Sequence, residues 1–298
     1  MTDQLTKVLA YKDQVRIVIA ETQHLVNQAH LKHETWHTST AALGRTLTGT
    51  LLLASNLKGE DRLSVTIKGN GPLGTLFADA DAKGNIRGFV ENSNVALELN
   101  NQGKIDVSRG VGLPGSLTVK KFIENYEPFA GQVELVSGEL AEDFTYYMAV
   151  SEQTPSSFGL SVLINPDEDV QSAGGFMVQL MPGASEETIQ SLEDAISKVG
   201  KLSDYFNQDN PVNSLLAVLC PDKEYKIIDT KEIQFKCSCH RERFEIGLAM
   251  LDNADLMEII NDHQGAELRC HFCNQTYQFT DEEMQAIMSK KEKGGYNV

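Results

Sequence analysis

Cysteine is missing from the first 219 residues of this 298-residue chain. A secreted fold held by disulfides would not leave its largest part unstapled, so that class is excluded. Long apolar runs are equally scarce. The longest, Leu215 to Cys220, falls far short of the ~18–20 residues that a membrane-crossing helix needs. The first residues, Met1-Thr2-Asp3-Gln4, have neither a basic flank nor an apolar stretch behind them. No secretory signal is expected there, and the expected location is the reducing cytoplasm.

Positive charge is short as well. Lysine and arginine number 26 against 42 aspartates and glutamates, a formal charge of −16. The deficit is spread along the chain: 14 basic against 21 acidic residues over 1–180, 4 against 9 over 181–230, and 8 against 12 over 231–298. No segment offers the platform that phosphate neutralisation demands, so nucleic acid and anionic membrane surfaces are not expected partners. Catalytic signatures are also lacking. There is no G-x-S-x-G elbow, and the glycines at 69–74 are not followed by the Lys-Ser/Thr of a phosphate-binding loop. An enzyme is not expected.

What remains is a chain that is 41% hydrophobic, enough for a proper core. Leu63-Ser64-Val65-Thr66-Ile67 alternates apolar and polar with period two, a half-buried strand. Gly69-Asn70-Gly71-Pro72-Leu73-Gly74 follows as a turn cluster. Thr75–Ala80 and Ile86–Val90, joined by Asp81-Ala82-Lys83-Gly84-Asn85, predict a hairpin. Gln132–Val136, Phe144–Val150 and Gly175–Leu180 are further expected strands. Ser39–Leu53, rich in Ala, Leu, Thr and Gly, predicts a helix packed closely on a sheet. The expected class is α+β: a strand-rich N-terminal core domain over 1–180, a partly helical linker over 181–230, and a small C-terminal zinc-binding domain over 231–298.

In the linker, Ser185 is placed to cap a helix whose first turn carries Glu186 and Glu187. Ile189, Leu192, Ile196 and Val199 form one apolar stripe on it, with Gly200 at the stop. So short and acidic a helix depends on docking that stripe elsewhere. Val212–Cys220, bounded by Pro211 and Pro221, is a second apolar piece. Residues 181–230 thus read as conditionally structured, or alternatively as an ordinary last layer of the first domain. Farther on, Arg241–Leu251 and Ala254–Ile260 predict short helices, and Leu268–Cys273 and Tyr277–Phe279 short strands. Thr280-Asp281-Glu282-Glu283 fits a capping box, with Phe279 and Met284 as a hydrophobic staple. Residues 290–298 are expected to fray.

The sequence's strongest signal is Cys237-Ser238-Cys239 and, thirty residues on, Cys270-His271-Phe272-Cys273. Two close thiol pairs on two turns can converge on the tetrahedron that Zn²⁺ prefers. Some sixty residues with few large apolar side chains make a marginal core, so metal ligation would contribute folding free energy directly. Residues spaced i, i+2 or i, i+3 can also reach disulfide separations with modest movement. The site therefore reads as a static zinc module or as a switch that oxidation opens. Cys220 reads as packed; His240 and His271 read as bystanders to the thiols. His24, His30, His33 and His37 with Trp36 read as a solvated or core cluster.

With Gly44-Arg45-Thr46-Leu47, the Gly69–Gly74 turn, Gly174-Gly175-Phe176-Met177-Val178-Gln179-Leu180-Met181-Pro182-Gly183, Arg241-Glu242-Arg243 and Cys270-His271-Phe272-Cys273-Asn274, the sequence resembles the redox-regulated heat-shock chaperones of about thirty-three kilodaltons over essentially its whole length. The resemblance implies one zinc held by Cys237, Cys239, Cys270 and Cys273 in the reduced form. It implies that oxidation pairs Cys237 with Cys239 and Cys270 with Cys273, releases the metal and unfolds the zinc domain and linker. Activated dimers would then hold unfolding proteins without ATP, through Ile189, Leu192, Ile196 and Val199 or the surface they covered. His240 departs from the family, which usually has serine there, and serine is the better cap for the helix at Arg241. Two other classes compete: a zinc-ribbon-like binding module, and a thiol–disulfide oxidoreductase using Cys270 and Cys273.

Overall fold

A computed structural model describes residues 2–222, 224–262 and 265–296. The chain divides into two compact units, 1–236 and 237–298. The first is built on two sheets. One has the order β10-β1-β2-β9-β8, from β1 (Gln4–Ala10), β2 (Val15–Glu21), β8 (Ser156–Ile164), β9 (Val170–Leu180) and β10 (Tyr225–Glu232), all antiparallel. The other has the order β11-β5-β4-β3-β6-β7, from β3 (Arg62–Lys68), β4 (Thr75–Asp81), β5 (Asn85–Val90), β6 (Ser116–Phe122), β7 (Phe129–Glu134) and the two-residue β11 (Gln234–Phe235). Strands outnumber helices among the described residues, and the class is α+β. The expected hairpin is the β4–β5 pair, with Leu76 opposite Val90.

Helices α1 (Gln23–His33) and α2 (His37–Ala54) follow β2. In α2 all residues except His37, Arg45 and Leu53 are buried, because the helix packs against strands of both sheets. Its threonines are tolerated there because they bond back along the helix: the hydroxyls of Thr46, Thr48 and Thr50 donate to the carbonyls of Ala42, Gly44 and Thr46 (2.8, 2.8 and 2.7 Å). Strand β2 is buried on both faces. Val18 and Ala20 lie on the side opposite Val15, Ile17 and Ile19. The latter three join Val8, Phe176 and Val178 in a core cluster completed by the linker.

The segment expected as a linker holds α5 (Glu186–Ser197), α6 (Ser203–Phe206) and α7 (Pro211–Leu219), and β10 returns the chain to the sheet edge. Ser185 caps α5 as expected, its hydroxyl accepting from Thr188 N–H. The helix stops at Ser197 rather than at Gly200. Leu192, Phe206, Leu215, Leu216 and Leu219 enter the cluster, with Ile196 and Val199 packed at its margin. Both readings of 181–230 require docking in the folded protein; they differ in whether docking survives oxidation.

In this unit one strand expectation fails. Phe144–Val150 is not a strand but the body of α4 (Ala141–Val150). Phe144, Tyr147 and Met148, at i, i+3 and i+4, form its buried face. The fully buried Asp143 fixes its start, its carboxylate accepting from the N–H groups of Val136 (2.7 Å), Ser137 (3.1 Å) and Leu140 (2.9 Å). The remaining helix of this unit is α3 (Val107–Val111). Close to it, Gly69 and Gly71 lie so near the Val111 and Gly110 carbonyls that a Cβ at either would clash with backbone.

The second unit holds α8 (Arg241–Ala249), α9 (Asn253–Asn261), the hairpin β12 (Ala266–Arg269) and β13 (Thr276–Phe279), and α10 (Asp281–Glu292). Its core gathers Leu248, Leu256, Ile260, Phe279, Met284 and Ile287. The capping box forms: Thr280 and Glu283 exchange hydrogen bonds between side chain and backbone. Strand β12 ends at Arg269, so the cysteines expected at the end of a strand occupy a turn instead. Residues 290–296 are held rather than frayed, as α10 runs to Glu292 and the Tyr296 hydroxyl donates to Glu245 (2.6 Å). The rest of that expectation, 297 and 298, lies outside the described residues.

Candidate metal centre

Two short connections bring the four C-terminal sulfurs together. Cys237 and Cys239 lie on the segment entering α8, and Cys270 and Cys273 on the β12–β13 turn. That turn is closed by its own backbone: Cys270 N–H donates to Gln275 O (2.9 Å) and Asn274 N–H to Cys270 O (2.8 Å). Asn274 sits in the left-handed region at φ 57°, where asparagine is among the tolerated residues. Arg241 ties the α8 side to the hairpin, donating to Gln278 O (2.6 Å) and Glu283 (2.7 Å) with its guanidinium 4.1 Å over the Phe279 ring.

All four Sγ atoms lie within 4.8 Å of one another. Cys237 to Cys270 measures 3.8 Å and Cys239 to Cys273 3.4 Å. Thiolates at ~2.3 Å from a tetrahedral Zn²⁺ stand about 3.8 Å apart, so the donor set and its spacing fit that ion. Cys270 and Cys273 are buried, while Cys237 and Cys239 are partly open. Burial pushes the Cys270 and Cys273 thiols up, although backbone N–H groups of Phe272 and Cys273 partly relieve Cys270. At Cys239 burial also raises the thiol, but the hydrogen bond from the Tyr277 hydroxyl (3.2 Å) and those shared with the other sulfurs outweigh it, and the net direction is down. A bound dication would hold all four as thiolates.

Tyr277, stacked on Phe244 at 4.5 Å, is the participant that sequence reading missed. Its only signal was an aromatic with a polar handle just beyond a C-x-x-C turn. The other expected residues fall elsewhere. Ile189, Leu192, Ile196 and Val199 lie on or just beyond α5 in the first unit, Leu192 buried and the others half-buried. Cys220 is buried in the linker cluster, its thiol pushed up to about 11 by burial. His240 precedes α8 without capping it; its Nδ1 lies 3.2 Å from Ser238 O.

The histidine cluster contains His33-Glu34-Thr35-Trp36-His37, an H-E-x-x-H spacing, so the expectation that the sequence carries no such signature is wrong. A zinc-binding helix needs both histidines on one face, and the structure divides them. His33 ends α1, Glu34 turns left-handed at φ 50°, and His37 opens α2. His33 stands edge-on to Phe235, and His37 Nε2 lies 3.1 Å from Leu97 O. Among the described residues the cysteine group is the one metal-holding cluster.

An α+β unit of two sheets around a buried helix, followed by a small unit gathered about four thiols, defines the class. Comparison with known proteins identifies it further. The family model described as Hsp33 protein matches residues 3–280. The chain is 46% identical to the 33 kDa chaperonin of Bacillus licheniformis, covering 96% of this chain and 98% of that one. It is 45% identical to that of Bacillus subtilis over the same shares. The crystal structure of the 33 kDa chaperonin of Thermotoga maritima superposes with a TM-score of 0.92 at 33% identity, covering 98% of this chain and 100% of that one. This chain belongs to the Hsp33 family.

Proposed function

We propose that the protein is an ATP-independent chaperone of the holding type, switched on by oxidation of its four-cysteine centre. The observation that carries the reading is the convergence of Cys237, Cys239, Cys270 and Cys273 within 4.8 Å, in a unit whose apolar core is small. Membership of the Hsp33 family and the printed names of its relatives support the chaperone role. In the reduced form the four cysteines hold one Zn²⁺ per chain. Hypochlorous acid oxidises two thiolates to a disulfide, taking up one proton and leaving chloride and water, so two equivalents close Cys237–Cys239 and Cys270–Cys273. Sulfur in a disulfide is no longer a thiolate ligand, and the folding free energy supplied by ligation goes with it.

The reading divides the chain into a core over 1–180, a linker over 181–230 and a switch domain over 231–298. Loss of the switch domain's fold would release the linker. That frees Ile189, Leu192, Ile196 and Val199 together with the sheet face they cover, and exposed apolar surface binds unfolding proteins. Activated subunits would act as homodimers in the cytoplasm, with no part for nucleic acid, membrane or catalysis. No helix among the described residues is long and apolar enough to cross a membrane. The test is to treat the zinc-loaded protein with hypochlorite. Release of one zinc per chain, together with suppressed aggregation of a heat-unfolding client, is the expected result. Equal protection by reduced and oxidised protein would refute the switch.

A further inference from the structure

We infer that the free edge of β8, from Leu160 to Ile164, takes up an extended apolar segment of an unfolding protein as an added strand of the five-stranded sheet. This rests on the chaperone reading and adds the place and manner of capture. Among the described residues β8 is the last strand of its sheet, paired with β9 alone. Two hydrogen bonds fix which way its peptide groups point. The Pro155 carbonyl accepts from Leu180 N–H at the end of β9 (3.1 Å). Phe158 N–H turns the other way and donates to the Thr145 hydroxyl on α4 (3.0 Å). In an antiparallel ladder the N–H and C=O of one residue point to the same side, and the side alternates along the strand. Leu160 and Val162 therefore present both groups away from β9. Among the described residues neither has a partner outside that ladder.

Beyond Phe158 the edge opens into a groove of about 540 Å³. Leu99 and Ile105 line it from a loop of the core, Ile196, Val199 and Leu202 from the linker, and Phe176 from β9. Arg45, Lys104 and Lys201 also line it, with no carboxylate among the described residues that do, in a chain whose formal charge is −16. Arg45 is paired with Glu139 at 2.8 Å; Lys104 and Lys201 have no ion pair among the described residues. Unpaired backbone, the apolar walls of the core and the unpaired Lys104 beside them match an extended apolar peptide with an acidic flank. A second copy fits less well. Two β8 edges paired antiparallel about Leu160 and Val162 would each run into the other's α4, which closes the edge at Phe158. The linker supplies one wall, so its release would widen the groove and couple capture to the switch.

The test is fluorescence anisotropy on the oxidised full-length protein with a labelled short peptide of alternating valine and threonine led by two aspartates. Methylating alternate peptide nitrogens removes its strand hydrogen bonds without touching the protein, and should weaken binding about ten-fold. Lys104→Glu, at the groove rim on the core's own side, should weaken it about two-fold at low salt. Equal binding of the methylated peptide, or tighter binding when lysines replace the aspartates, overturns the proposal. So does a dimer that the charge reversal dissociates while leaving peptide affinity unchanged, since the edge then belongs to a second copy. Aggregation suppression by the same oxidised sample separates the two readings. Suppression without peptide discrimination leaves the chaperone and moves its capture site. Peptide discrimination without suppression overturns the chaperone reading, and the capture role with it.

Discussion

The ring of Phe206 crowds Gly174: a Cβ at 174 would stand 2.3 Å from it. The linker is thus seated on β9 through a position where only glycine fits. Gly174→Ala would force Phe206 outward, an overpacking that costs ~1–3 kcal/mol. That cost falls on linker docking and leaves the cysteine centre alone. The expected outcome is unchanged zinc content, faster tryptic cleavage after Lys198 or Lys201, and partial suppression of client aggregation without oxidant. A variant as protease-resistant and as inactive as its parent would show that this contact does not hold the linker down.

The centre was legible because thiol chemistry tolerates little else at such spacing, and the α5 stripe because its period and its Ser185 cap agree. The α4 error had a physical origin. Phe144-Thr145-Tyr146-Tyr147 is rich in aromatic and β-branched residues, which favour strands, and the run is too short for periodicity to decide. What decides it is Asp143, whose partners Val136 and Ser137 belong to a preceding segment that sequence pattern does not bring near. Closure of both sheets by β10 and β11 was invisible for the same reason, since pairing between residues more than 140 apart leaves no local trace. Arg241 could be singled out as part of a motif, but its span to Gln278 and Glu283 could not.

Asp143 therefore makes a clear target. Its carboxylate, itself fully buried, satisfies three backbone N–H groups. Asp143→Ala would leave those donors without partners, at about 1–3 kcal/mol for each that water cannot reach. A fall in the urea midpoint of the first unit is expected, with zinc content retained. Asp143→Asn keeps an acceptor oxygen and should lose less. Equal midpoints for Asp143→Ala and the parent would remove the turn's claim to anchor α4.

Tyr277→Phe tests how far the centre depends on its surroundings. The substitution keeps the stack on Phe244 and deletes only the hydroxyl that donates to Cys239. Groups that hold metal ligands in place typically contribute ten- to a hundred-fold in affinity, and this one is only half-buried, so a loss of about ten-fold is expected. Competition against a chromophoric chelator under reducing conditions measures it. An unchanged affinity would mean that the hydroxyl contributes nothing to ligation.

The buried Cys220 reports on the linker from the other side. Once the remaining cysteines are in two disulfides, it is the single free thiol of five, and alkylation mapped by mass should proceed rapidly only after oxidation. Its ionisation also has a signed consequence. Burial raises the docked thiol from 9.0 to about 11, and the Tyr11 hydroxyl, bonded to Leu219 O at 2.7 Å, is raised from 10.0 to about 12 by burial and then by Cys220 and Asp222. Between pH 9 and 12 the undocked form thus binds fewer protons than the docked one, so docking loses stability as pH rises, with little change below 9. The urea midpoint of the reduced protein should drop between about pH 9 and 12. Cys220→Val, which keeps the apolar volume and cannot ionise, should reduce that drop while leaving the share due to Tyr11. An identical pH dependence in parent and variant would place the alkaline loss of stability somewhere other than this corner of the core.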